Sequence, residues 1–410
     1  MKLTRKSQQS CSKRPKRTTL DHQISRTKKQ TQSSKNQKYF LCLFPLCLPA
    51  LSLIGFVFQM KLPKSLDLLS SRTGPERDFG YSYDGIIGIE EQFRVHCQGL
   101  FDDTESMKEE EADVMTNNNT FKFVKTRTEP SYIISIYPPA KDIWVSRSIE
   151  ERGCWECESL KLVKAALEKY EDSYLLDVGG NIGQFNTFVS LALGKDAYAL
   201  EPLKKNCDHT CRTLMKNDLH KHKLHLYKVA FSKARGKVTL HVADKNMGGT
   251  QSKFLDGSEH TTTSSSSSSS LPVEGVDFAH AITLDSFYNE VLPKNRPVVM
   301  KVDIEGHELD VLGGCLVSLE QANIVFCFME MLGKTWIEQP MLAGRIVEMM
   351  TKKGLVPMIL SVQNNDLIPL QGPLESWFQT NNVLDMYWIK GEFSAGLMLA
   401  LNERQKRQRG

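Results

Sequence analysis

Beyond its first third, the chain alternates short apolar runs with longer amphipathic stretches. Runs at Tyr174–Val178, Ala197–Leu200, Leu224–Ala230, Val298–Val302, Ile324–Met329, Leu355–Val362 and Leu384–Ile389 have the length and composition of buried strands. Between them, Gln184–Leu193, Lys204–Asn217, Leu309–Leu319 and Met341–Lys353 carry helical spacing, and Gly354 stops the last. A further helix opens near Thr283-Leu284-Asp285, and Gly236–Val242 alternates like an exposed hairpin strand. Strands that alternate with helices predict a mostly parallel sheet covered on both faces. This α/β domain is expected over residues 131–392.

The N-terminal part reads differently. From Lys2 to Lys38, Lys and Arg stand against the single Asp21 among Ser, Thr and Gln. Such a stretch buries too little apolar surface to fold, so residues 1–38 are expected to be a disordered basic tail. Tyr39–Phe58 is uncharged and almost continuously apolar, about twenty residues, enough to cross a hydrocarbon core. The long basic flank favours an uncleaved anchor at 39–60 over a cleaved signal peptide, and it disfavours a nucleic-acid tail. Its positive side should face the cytoplasm. A single-pass type II membrane protein follows, with the rest of the chain in the lumen of the Golgi or endoplasmic reticulum. Residues 61–130, acidic in part, read as a stem holding the sequon Asn118-Asn119-Thr120.

Composition adds little to that picture. The 410 residues are 40% hydrophobic and 24% charged, with a net charge of +4 that is unevenly spread. The cysteines beyond the apolar run, Cys97, Cys154, Cys157, Cys207, Cys211, Cys315 and Cys327, are odd in number. One or two disulfides suit a lumenal protein better than a zinc site, because no His or Cys pair supplies closing ligands. Cys315 and Cys327 lie in apolar stretches and read as buried small residues. The Thr/Ser tract within 255–272 is expected to be a solvated loop, and 393–410 a basic tail.

The stretch richest in chemistry is Asp177-Val178-Gly179-Gly180-Asn181-Ile182-Gly183, where a strand turns into a helix near Ile182. Glycines suit a place where a ligand approaches the backbone or where φ is positive. Glu201 ends the next strand roughly twenty residues on, and a carboxylate there can accept both hydroxyls of a ribose. Asp177 repels phosphate and attracts an ammonium or sulfonium. The third glycine of the dinucleotide turn is also missing. S-adenosylmethionine fits these features, being an adenosine with a sulfonium, an amino-acid head and no phosphate. The candidate cofactor-binding set is Asp177, Gly179, Gly180, Asn181, Gly183, Glu201 and Ala230. An ordinary strand–turn–helix of an α/β core is the plain alternative.

A second strand ends in ionisable groups at Lys301-Val302-Asp303-Ile304-Glu305-Gly306-His307-Glu308. Open α/β sheets bind ligands beyond the carboxyl ends of their strands, so Asp177, Glu201, Asp303 and Glu330 should gather at one crevice. Asp303 is the first candidate for a general base, followed by Glu305, His307 and Glu308. Glu308 also suits the N-terminus of the following helix. Asp303 with Glu330 could hold a divalent ion, although no metal ligand is assigned. The competing reading is a salt-bridged structural cluster with Lys301 as its counter-ion.

Taken in order, Leu175-Leu176-Asp177-Val178-Gly179-Gly180-Asn181-Ile182-Gly183, Glu201-Pro202, Asn246-Met247-Gly248-Gly249-Thr250, Thr283-Leu284-Asp285 and Lys301 to Glu308 resemble the FkbM family of S-adenosylmethionine-dependent methyltransferases. The resemblance runs from about Trp155 to Lys390, and Lys-x-Asp-x-Glu-Gly-x-Glu is its most diagnostic element. It implies a Rossmann-like, doubly wound seven-stranded sheet with an antiparallel last strand. It also implies methyl transfer to oxygen, often on a sugar or natural product. With the anchor, this predicts a glycan or another hydroxyl-bearing acceptor in the secretory lumen, and no nucleic-acid partner. The Thr/Ser tract and the anchor depart from the family's core. Two other readings stay open: a nicotinamide-dependent oxidoreductase and a non-catalytic anchored binding protein.

Overall fold

The computed structural model describes residues 88–97, 121–217, 222–243, 245–254, 276–361, 366–377 and 383–393. The basic tail, the apolar run at 39–60, the sequon, the Thr/Ser tract and residues 394–410 lie outside them. Among the described residues no helix is long and apolar enough to cross a membrane.

The strands, in chain order, begin with the hairpin β1 (Lys122–Lys125) and β2 (Ile133–Ile136). Next come β3 (Tyr174–Val178), β4 (Ala197–Leu200), β5 (Leu224–Tyr227) and the short β6 (Ala230–Phe231). Three strands follow, β7 (Gly236–Ala243), β8 (Asn246–Phe254) and β9 (Val276–Ile282). The remainder are β10 (Pro297–Val302), β11 (Asn323–Leu332), β12 (Leu355–Leu360), β13 (Leu367–Pro369) and β14 (Val383–Lys390).

The main sheet has eight strands in the order β13-β12-β14-β11-β10-β3-β4-β5, not the expected seven. The extra member is β13, three residues paired antiparallel to β12 at the edge. From β5 to β11 every pairing is parallel, and β14, last in the chain, runs antiparallel to both β11 and β12. The chain leaves β3 toward β4 and β5, then returns to place β10 on the other side of β3. That reversal opens a crevice between β3 and β10 at their carboxyl ends. Leu175, Val299 and Phe326 project into one core with the helices Cys157–Lys169 and Lys204–Lys216. Leu176, Met300 and Cys327 project into the other, with Leu284–Glu290 and Pro340–Lys352.

Several segments depart from the expected pattern for local reasons. The helix after the glycine turn is α-helical only over Gln184–Thr187 and continues as a π-helix through Phe188–Ala192, where Leu193 N–H donates to Phe188 O. The span 309–319 divides into Glu308–Gly313 and Leu316–Gln321, as two adjacent glycines favour. Leu224–Ala230 splits between two sheets, because Lys228 N–H donates to Phe93 O and β6 joins β9. A separate four-stranded sheet, β6-β9-β7-β8, covers the carboxyl end of β4, where the sequence pattern predicts only one hairpin strand.

The folded unit also extends N-terminal to residue 131. Helix Ile89–Phe93, the bridge of Arg94 to Tyr227, strand β1 and the disulfide Cys97–Cys211 bind parts of the expected stem to it. Cys154–Cys157 forms a second disulfide, and Cys207, Cys315 and Cys327 are buried thiols.

Candidate active site

At the end of β3 the chain makes its glycine turn with Gly179 at φ +84°, Asn181 at +48° and Gly183 at +90°. The turn's N–H groups are all occupied within the protein. Gly179 and Gly180 donate to Leu200 O at 3.0 and 2.9 Å, and Gly183 donates to Gly180 O at 2.9 Å. Asn181 N–H donates to Glu201 Oε2 at 2.8 Å, and Ile182 N–H to Asn181 Oδ1 at 2.7 Å. A pyrophosphate nest needs such groups free.

The reason for the glycines also differs from expectation. A Cβ on Gly179 would lie 1.9 Å from the Asp303 carbonyl oxygen, so the close approach is made by the loop after β10 and not by a ligand. Gly180 and Gly183 face Asn186 and Thr210 in the interior rather than the cleft.

Asp177 likewise lies beneath the turn. It is 0% exposed, Oδ2 accepts from Asn186 Nδ2 at 2.9 Å, and Oδ1 is 3.7 Å from Lys301 Nζ. It therefore offers no surface to a ligand; it forms a buried pair. Burial raises its pKa against Lys301 and Asn186. Lys301 also donates to Gly179 O at 3.1 Å and to Asp303 Oδ2 at 3.2 Å. Burial opposes the ammonium, but Asp303 and Asp177 outweigh it and hold Lys301 above its ordinary range.

A cleft of about 670 Å³, open solvent at its mouth included, lies over this arrangement. Gly179, Asn181, Glu201, Ala230, Asp303, Glu305 and His307 line it; Asp177, Gly180, Gly183 and Glu308 do not. Glu201 Oε1 accepts from Leu203 N–H at 2.8 Å, while Oε2 holds Asn181. Burial pushes its carboxyl up to about 7, against the pull of those two N–H groups and of Asn206.

The loop after β10 is braced from inside. Glu308, 1% exposed, accepts from Ile304 N–H at 3.0 Å and Gly306 N–H at 3.1 Å. This removes Glu308 from the candidate bases and makes it the loop's support. Glu305 sits at φ +57°, a conformation side chains rarely adopt. Burial and then Asp303 push its carboxyl up to about 7. His307 Nδ1 is 3.8 Å from Asp310 Oδ2, and that contact raises its pKa, so the ring carries a proton for more of the time than a free imidazole and is less available to accept one. Glu330 is pushed up to about 8 by burial and Asp303. Among the described residues no group of three or more His, Cys, Asp or Glu is arranged to hold a metal ion.

Other lining residues stand outside the candidate set. β8 crosses the turn and brings Gly248, Thr250 and Ser252 to the cleft. A Cβ on Gly248 would stand 2.5 Å from Asn181 Nδ2, so the double glycine Gly248-Gly249 was the available signal. Phe231 and Leu240 supply apolar walls, and Asn206 comes from helix Lys204–Lys216.

Residues 177–356 match the protein-family model described as the methyltransferase FkbM domain. No curated protein matches the chain. Among solved structures, the chain is similar to methyltransferase FkbM from Methylobacillus flagellatus KT, at 12% identity and a TM-score of 0.30, over 53% of this chain and 44% of that one. It is also similar to precorrin-6y C5,15-methyltransferase from Geobacter metallireducens GS-15, at 9% identity and a TM-score of 0.28, over 60% of this chain and 93% of that one. The chain thus spans less than half the length of the first.

Proposed function

We propose that this chain, a member of the FkbM methyltransferase family through residues 177–356, methylates a hydroxyl oxygen of a glycan with S-adenosylmethionine as donor. We place the reaction on the lumenal side of a secretory-pathway membrane, with residues 39–60 as the anchor. The observation that carries the cofactor reading is the occupied turn. Its N–H groups serve the protein, while Glu201 presents a carboxylate to the cleft. A carboxylate has about four lone-pair sites, and Asn181, Leu203 and Asn206 use three, so one remains to accept a ribose hydroxyl. Phe231 and Leu240 offer apolar surface for a purine.

When bound, S-adenosylmethionine supplies a methyl group on a sulfonium, so a hydroxyl that bonds to it breaks the carbon–sulfur bond and sheds one proton. Glu305 takes that proton. It stands on the cleft wall with a pKa of about 7, matched to neutral operation. Asp303, tied to Lys301, is the fixed charge beside it. Lys301 grips both Gly179 O and Asp303, which sets the spacing between the donor and acceptor halves of the site.

The lumenal assignment draws on the basic tail, the uncharged run and the two disulfides, which belong to an oxidising compartment. The decisive test compares glycans by mass from cells with and without the protein, alongside calorimetry on the purified chain. Methylated glycans that need the protein, and binding of S-adenosylmethionine but not of a nicotinamide cofactor, are expected. Nicotinamide binding with no methylated product would end the reading.

A further inference from the structure

Asp303, which lines the cleft, is also the first member of a row of carboxyl groups that stands beside it. Lys301 is in register with Asp177 on one side and Phe328 on the other, and Phe328 with Tyr387. Two residues further toward the same end stand Asp303, Glu330 and Asp385, the last two paired across β11 and β14. Side chains two residues apart share a face. These three therefore stand abreast above Lys301 and the two aromatic rings, on strands about 4.8 Å apart. Asp385, at the outer end, is exposed.

A fourth carboxyl comes down on this row from the opposite side. Helix Cys157–Lys169 is tied to β14 by a 2.8 Å bond between Ser159 Oγ and Tyr387 OH, so its N-terminus overhangs the row. Immediately before it, the Cys154–Cys157 disulfide closes a loop around Trp155 and Glu156. Gln184 clamps that loop by both backbone groups of Trp155, each at 2.6 Å. Glu156 is thereby fixed at φ +45°, and its buried Oε2 has no hydrogen-bond partner. The charges that act on it are Asp303, Lys301, Asp385 and Glu330.

We infer that Glu156 is a specificity-determining residue for the acceptor: with Glu330 and Asp385 it holds the non-reacting hydroxyls of an uncharged polyhydroxy ring, and the same row turns away sulfated, sialylated and uronic glycans. This rests on the glycan reading given above. Burial pushes Glu156 well above its ordinary range and Glu330 up to about 8, which favours their neutral forms. A protonated carboxyl both donates and accepts, as a ring of hydroxyls requires. An ammonium ligand is less suited, because burial disfavours the ionised forms of Glu156 and Glu330 that would pair with it. An anion would meet Asp303 and Asp385 with Lys301 already engaged by Asp177 and Asp303.

The test uses the detergent-solubilised full chain on a glycan array, with S-adenosylhomocysteine present, and S-adenosylmethionine calorimetry in parallel. Wild type should bind neutral glycans and leave sulfated, sialylated and uronic ones unbound. Glu156→Gly, which also relieves the left-handed backbone, should weaken glycan binding about tenfold, as loss of one or two hydrogen bonds implies. Its melting temperature and cofactor affinity should hold. Glu156→Gln, which still donates and accepts, should retain binding, and the Cys154→Ser/Cys157→Ser pair should behave like Glu156→Gly. Binding of acidic glycans, binding of no glycan, or unchanged binding by Glu156→Gly would each overturn the inference. Failure of wild type to bind S-adenosylmethionine would instead overturn the methyltransferase reading beneath it.

Discussion

The two walls of the crevice are built on opposite principles. On the β3 side, the turn's N–H groups have protein acceptors, and Asp177 pairs with Lys301 and Asn186 out of reach of solvent. On the β10 side, Glu305 is held in a rare backbone conformation, Glu156 Oε2 has no partner, and carboxyls stand near neutral pKa values. The first wall has its turn N–H groups taken before any ligand arrives, although the buried Asp177 Oδ1 and Asn186 Oδ1 lack hydrogen-bond partners; the second carries an unpartnered carboxyl oxygen beside carboxyls poised near neutral pH. A side whose turn is already occupied suits a common cofactor, and a side of near-neutral carboxyls suits the chemistry and the choice of acceptor.

The largest effect that would sharpen this contrast is on rate. Glu305→Gln should lower the single-turnover rate by about 10²–10⁴, with little change in cofactor affinity or melting temperature. Because the base acts when ionised, kcat/KM in wild type should rise with pH through about 7, and Glu305→Gln should flatten that rise. If Asp303→Asn shows the rate loss and Glu305→Gln does not, the base is Asp303. In that case the two walls share the work differently.

Next comes stability on the β3 wall. Lys301→Met leaves Asp177 buried without its cation, which typically costs about 3–5 kcal/mol in denaturant melts. Adding Asp177→Asn should recover much of that loss. Recovery would mark the pair as structural, and its absence would point to a ligand role for Lys301.

Glu201→Ala should weaken S-adenosylmethionine binding at least tenfold, from loss of a charge-assisted bond of about 1.5–3 kcal/mol, with the fold retained. Unchanged calorimetric affinity would remove Glu201 from the site. The smallest effect is a slope. Glu201 has a folded pKa near 7 against an ordinary 4.5, so its neutral form favours folding. That stability is full below pH 4.5 and is lost as pH rises through about 7. Glu201→Gln should reduce the decline, read from denaturant midpoints across that window.

Strands β3 and β4 were legible to the residue, because each is a continuous apolar run between turn signals. β8 was not, since Asn246–Phe254 has little apolar content and is held by pairing with β7 over the glycine turn. β13 is three residues long and carries no periodicity to read. At the site, the meeting of Glu201 and Asp303 followed from strand ends gathering at one crevice, whereas Glu330, expected with them, does not line it. The burial of Asp177 did not, because it depends on Lys301 standing beside it in register on the next strand. Glu308 shows the same limit: its motif position suggests chemistry, and only the loop's path reveals a brace. The pairing of Cys97 with Cys211, 114 residues apart, has no local signature.

That last bond also bears on how the enzyme could leave the membrane. Under the proposed anchorage, Cys97 lies between residues 39–60 and the body of the protein, and it is padlocked to helix Lys204–Lys216. A protease that nicks residues 98–120 would leave both fragments covalently joined, so the enzyme would stay on its tether until a reductant acts. Shedding of a soluble form requires a cut on the N-terminal side of Cys97, and such a form would keep the padlock and the helix Ile89–Phe93 only if the cut also spared that helix.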